Sequence, residues 1–151
     1  MNENRLSHYD FVITILWVGF ILAISFMETP LRFQAESITR VVALQVGRLV
    51  FHALNYCEMV FALLILVCQV RGQSSQMSRR WFWVAFSILA IQTILLFTIL
   101  DSRTNAIIEN QPVKEAPYHM IYIGLELAKM TSLVGLARCQ LLDFKSRLSS
   151  S

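Results

Sequence analysis

Apolar positions in this chain come in long unbroken runs, not in alternation. Phe11 to Met27 (FVITILWVGFILAISFM) carries no formal charge, and neither does Trp81 to Leu100 (WFWVAFSILAIQTILLFTIL). Two further runs, about 49–70 and about 118–137, are as long but contaminated: the first holds Glu58, the second Glu126 and Lys129. Each is close to the roughly 20 residues that a helix needs to cross bilayer hydrocarbon, about 30 Å at about 1.5 Å per residue. The pattern predicts an all-α protein, an integral membrane four-helix antiparallel bundle, with 1–151 as a single transmembrane domain.

The connections add detail. In segment 28–47 (ETPLRFQAESITRVVALQVG), Glu28, Arg32, Glu36 and Arg40 recur at steps of four, past a proline, Pro30, that suits a first helical turn. This predicts a short amphipathic helix in the first outer connection, with Ile38, Val41, Val42 and Leu49 on its other face. Its i,i+4 charge pairs add only about 0.2–0.5 kcal/mol each. Segment 101–117 is expected to prolong the third span for two turns and break at Gln111-Pro112, with Pro117 opening the fourth. Gly124 and Ala128 form a small-residue step that permits close helix approach, and Gly19 and Gly135 read the same way.

Composition narrows the class. Of 151 residues 56% are hydrophobic and 15% charged, where soluble domains run near about 25% charged, and mean hydropathy is +0.55. Four spans leave no room for a sizeable soluble catalytic domain, and the hydrophobicity excludes intrinsic disorder. The net charge of +3 fits basic residues flanking spans; no basic run is interleaved with aromatics, so nucleic acid is not an expected partner. Cys57, Cys68 and Cys139 show no CxxC and no histidine at ligand spacing, and read as packing residues. Asp10 directly precedes the first apolar run, a poor signal-peptide flank, so that run is expected to stay as a span.

Orientation follows from the basic residues. Arg5, Arg71, Arg79, Arg80, Arg138, Lys145 and Arg147 share one side, against Arg32, Arg40, Arg48, Arg103 and Lys114 on the other. This bias predicts that both termini are cytoplasmic. Trp81 and Trp83 at one interface, and Tyr118 and Tyr122 at the other, suit interfacial belts.

The contaminated spans hold the candidate chemistry. An ionisable group at mid-membrane costs about 2.5–3.5 kcal/mol on insertion scales, so buried ones should face one another or a wet cavity. Gln45, Arg48, His52, Asn55 and Glu58 line one stripe of the second span, and His119, Tyr122, Glu126 and Lys129 one stripe of the fourth. Spans two and four run in the same direction. Glu58 lies about 15 Å below Arg48, and Lys129 about 16 Å below Tyr118, so the two should meet near the midplane. The expectation is that spans two and four pack with these stripes inward, Glu58 against Lys129, with His52, Asn55 and Glu126 nearby as a ligand or proton seam. Spans one and three would serve as walls, adding weak polar groups such as Thr14, Ser25, Gln92 and Thr98.

A second cluster is expected at the outer mouth: Arg48, His52, Asp101, Arg103 and His119, with Arg48 paired to Asp101. His52 and His119 at one level form a candidate ligand set for a metal or a heme iron. No GxSxG, P-loop, HExxH or dinucleotide fingerprint occurs.

The blocks WVGF, FMETPLRFQ, GRLVFHALNYCE, LDSRTNAIIENQ and YIGLELAK together resemble a family of small, uncharacterised four-span inner-membrane proteins of bacteria over nearly the full length. That resemblance implies architecture, not activity. The chain also bears a faint, remote similarity to the copper-resistance-D-like group, which includes the four-span protoporphyrinogen oxidases. Those heme-binding enzymes carry a histidine in their first span, whereas Phe11 to Met27 has none and His8 lies just before it. Three functions follow in order of preference: a module that binds or transports a small solute or protons; an accessory or assembly subunit of a membrane complex; and a heme- or porphyrin-binding redox enzyme. The bilayer, and a second copy or a membrane-protein partner, are the expected associates.

Overall fold

In the computed structural model, residues 3–34, 39–72, 74–109 and 118–148 are described, and among them every long element is helical. Helix α1 (Glu3–Ile21) runs through a π-helical stretch (Leu22–Glu28) into α2 (Thr29–Gln34). Helix α3 spans Arg40–Arg71. Helix α4 (Gln76–Ile94) runs through a second π-helical stretch (Leu95–Leu100) into α5 (Asp101–Ile108), and α6 spans Tyr118–Leu148. Among the described residues four stretches are long and apolar enough to cross a membrane: Tyr9–Arg32, Val41–Arg71, Gln76–Ile107 and Met120–Ser146. The molecule is thus a multi-pass membrane protein in a lipid bilayer environment.

Local chemistry explains the boundaries. Thr39 caps α3 by accepting from the Val42 N–H, and Ser75 caps α4 by accepting from the Ser78 N–H. Pro30 has no N–H for the Phe26 carbonyl, and its ring crowds that turn. The preceding residues widen into the π-helical stretch, where the Thr29 hydroxyl donates to the Ile24 carbonyl, 3.1 Å away. The second stretch lies beside hydroxyls that donate back one turn, Thr93 to Leu89 and Thr98 to Ile94, a habit that bends helices.

The helices alternate in direction. At the end that carries the chain termini, Asp143 of α6 accepts from the Ser75 N–H and the Ser78 hydroxyl beside α4. At the opposite, distal end, Arg32 of α2 donates to the Ala43 carbonyl of α3. Around the bundle α1 packs on α3 and α6, and α4 packs on α6 and α3. Helices α3 and α6 therefore stand diagonally across the interior. The expectation that spans two and four pack side by side is corrected here: in an up-down bundle helices of like direction are diagonal, so their polar stripes meet only through long side chains.

The apolar core fills the half of the bundle toward the termini: Trp17, Ile21, Ala62, Ile65, Phe82, Ala85, Leu89, Leu133 and Leu136. The outer surface stays apolar, as at Leu63, Val70, Trp83 and Val134, in keeping with lipid. Gly135 is required by packing, since a Cβ there would lie 2.9 Å from the Trp81 ring. Gly19 and Gly124 have open space instead, and Ala128 is exposed, so among the described residues no helix packs into that small-residue step.

The helix expected across 28–47 is divided between two elements. Its first part, Thr29–Gln34, continues the first span, while Arg40 onward belongs to α3. Glu28 and Arg32 do pair, at 2.6 Å, but Arg32 is only 7% exposed and lies against Gly47. It is a tether between α2 and α3, not part of a solvated stripe. Glu36 and Ile38 lie outside the described residues. Tyr122, expected in an interfacial belt, is buried at 3% exposure; the side chain of Tyr118 lies outside the described set.

Candidate functional site

The polar groups of all four long helices converge in mid-bundle. Glu58 of α3 and Lys129 of α6 are fully buried, with Lys129 Nζ 2.5 Å from Glu58 Oε1. Glu126, one turn before Lys129 on the same face, brings Oε2 within 3.2 Å of the same Nζ. The uncharged spans complete the ring. The Trp17 indole N–H donates to Glu58 Oε1 at 2.9 Å. The Ser25 hydroxyl donates to Glu126 Oε1 at 3.1 Å, and the Gln92 amide donates to Glu126 Oε2 at 2.5 Å. The π-helical stretch matters for Ser25: its wider turn carries the inward stripe of Trp17 and Ile21 on to this hydroxyl.

Charge and hydrogen counts do not balance here. Two carboxylates face one ammonium. Glu58 Oε2 and Gln92 Oε1 are buried acceptors without a hydrogen-bond partner among the described residues, and the Tyr122 hydroxyl is also unpartnered there, while Lys129 Nζ meets its carboxylates as an ion pair only. Each unsatisfied group in hydrocarbon costs on the order of several kcal/mol. The group is short of one positive charge.

A pocket of about 280 Å³ reaches this group from the distal half. Phe26 and Pro30 stand exposed at its mouth, Phe51 and Ile123 line its sides, and Tyr122, Ser25 and Glu126 close its floor. On the other side of the buried charges lies the apolar core.

The other expected site residues fall elsewhere. Asn55 donates to the Thr93 hydroxyl at 2.9 Å. His52 Nε2 lies 2.8 and 3.0 Å from the two Asp101 carboxylate oxygens, its ring edge-on to Phe97. His52 is therefore drawn to Asp101 and not to the central group. Arg48 does not meet Asp101 as expected; it donates to Asn105 Oδ1 at 2.5 Å. Antiparallel register explains the exchange, because Arg48 lies four residues before His52 while Asn105 lies four after Asp101. Arg103 is half-buried on α5, and the side chain of His119 lies outside the described set. Among the described residues no group of three or more His, Cys, Asp and Glu side chains is placed to hold a metal ion.

Sequence reasoning missed Trp17 as a partner of Glu58. It also missed buried polar residues toward the termini: Asp10, Gln69, Ser78 and Gln140. Their signal was their place on inward stripes, as in the Asp10, Thr14, Trp17, Ile21 series on α1.

A family model described as a domain of unknown function (DUF4149) matches residues 12–111, about two thirds of the chain. The match takes in Trp17, Ser25, Glu58 and Gln92 and ends before α6. Neither a curated protein nor a solved structure matches, and nothing supports the similarity to the copper-resistance-D-like group.

Proposed function

The chain belongs to the DUF4149 family, and we propose that its Glu58–Lys129–Glu126 group takes up and releases a proton or a small cationic solute within the membrane. The carrying observation is the two-to-one ratio of buried carboxylates to ammonium, set among unpartnered acceptors. One added positive charge brings the group to neutrality where net charge is most expensive. Lys129 bridges both carboxylates, so charge arriving at Glu126 frees the ammonium to lean on Glu58. The pocket supplies access from one end, and the core on the far side of Trp17 holds the other end shut.

The bias of basic residues supports an orientation with both termini cytoplasmic, in which the pocket mouth lies toward the opposite leaflet. Four helices enclose one such group, and a complete translocation path calls for a second copy or a membrane partner.

Difference infrared spectroscopy through a pH titration tests the reading. The purified protein should show a buried carboxyl band that changes with pH, and Glu126→Gln should remove or shift it. A carboxyl spectrum indifferent to pH in the unaltered protein would overturn the proposal.

A further inference from the structure

From the pocket over Glu126 we infer the class of its occupant: a small lipophilic ammonium, a protonated primary amine on an apolar or aromatic stem. The inference rests on the reading above, that the carboxylate group accepts positive charge, and it names what delivers that charge.

Three features of the pocket point the same way. Its floor is acidic. Glu126 Oε1 accepts only the Ser25 hydroxyl among described partners, and the buried hydroxyl of Tyr122, which lines the same pocket, has no hydrogen-bond partner among the described residues. An –NH3⁺ group offers three donors to just such acceptors. The walls are apolar and aromatic, with Phe51 edge-on to Tyr122 at 5.6 Å between ring centres. Such walls favour an organic cation through ring quadrupoles and cannot replace the water shell of a metal ion, which needs several oxygen ligands. The mouth, at exposed Phe26 and Pro30, opens on an otherwise apolar flank. An amphiphile partitioned into the bilayer reaches it with its stem in lipid. At about 280 Å³ the space is at the lower edge of the about 300–1,000 Å³ typical of drug-sized ligands, so the stem is short. A neutral chain of the same shape would leave the second carboxylate charge uncompensated and the Tyr122 hydroxyl without a partner, the kind of mismatch that sites built for a polar group reject strongly.

The test measures equilibrium binding of radiolabelled phenethylammonium to the full chain in phosphatidylcholine nanodiscs, with propylbenzene as the uncharged competitor. Saturable binding of one phenethylammonium per chain is expected, with little competition from propylbenzene. Glu126→Gln should weaken binding about tenfold or more, and Tyr122→Phe about threefold. Glu126→Gln leaves Glu58 and Lys129 as a balanced pair, so it is expected to fold. Ile123→Trp fills the pocket without touching the charges; it should abolish binding and leave the infrared carboxyl titration in place. Equal competition by propylbenzene, or full binding by Ile123→Trp, would overturn the assignment. A protein that titrates its carboxyl group yet fails to bind phenethylammonium defeats this inference alone. One that does neither defeats the proton and cation reading as well.

Discussion

Removing charges one at a time from Glu58, Lys129 and Glu126 should have unequal effects. Lys129→Met leaves two facing, fully buried carboxylates with no counter-charge. Breaking a buried pair in this way costs about 3–5 kcal/mol, so this variant should show the largest fall in thermal unfolding temperature in detergent. Glu126→Gln instead leaves one acid against one base and should be close to neutral for stability. Adding Glu58→Gln to Lys129→Met reduces two uncompensated carboxylates to one and should restore part of the loss. Strictly additive losses for the two changes would show that the residues do not act as a pair. The meeting of Glu58 and Lys129 was legible because depth in a membrane helix is arithmetic: the spans run in the same direction and the offsets match. Trp17 was not legible. An indole in an uncharged run is as much at home facing lipid as facing a carboxylate, and only the stripe through Asp10 and Thr14 marks which side points in.

At the scale of elements, the widened turns before Pro30 set where Ser25 points. Pro30→Ala restores an N–H to the Phe26 carbonyl, and replacing a helix-interior proline normally stabilises a helix by about 3 kcal/mol. The expected outcome is slower hydrogen exchange across residues 22–34 combined with weaker phenethylammonium binding, because tightening to an α-helix rotates Ser25 away from Glu126. Unchanged exchange would show that the proline does not hold the turn open. Glycines separate in a similar way. Gly135→Ala drives a methyl against the Trp81 ring and should destabilise by about 1–3 kcal/mol, whereas Gly124→Ala has open space and should leave the unfolding temperature unchanged. In the sequence these glycines look equivalent, since what distinguishes them is a neighbour on another helix. The 28–47 segment misled for the same reason. Charges at steps of four describe a solvated helix face equally well as the end of one span and the start of the next, and burial of Arg32 against Gly47 decides between them.

For the whole molecule, the proposed reading calls for access to the central charges from the distal end. The pocket descends from the distal end to Glu126, while Ala62, Ile65, Phe82, Leu133 and Leu136 fill the interior between the buried charges and the termini. Apolar side chains packed in this way admit no water file, so an aqueous reagent should reach Thr29, on the pocket rim about one turn from the end of the first span, from one side of the membrane, and the core from neither. Thiols placed on a background in which Cys57, Cys68 and Cys139 are alanine would report this. Thr29→Cys lines the pocket, Ala62→Cys sits in the core, and Ser146→Cys is exposed at the end of the termini. With a membrane-impermeant maleimide on intact spheroplasts, Thr29→Cys should label from outside and Ser146→Cys only after lysis. Ala62→Cys should stay unlabelled in both conditions until the protein is denatured. Labelling of Thr29→Cys and Ser146→Cys from the same side would contradict the up-down arrangement itself. The reverse sidedness would keep the fold and place the termini outside the cell. Rapid labelling of Ala62→Cys after lysis would mean that the core is no seal, and that the central charges are open to both sides at once.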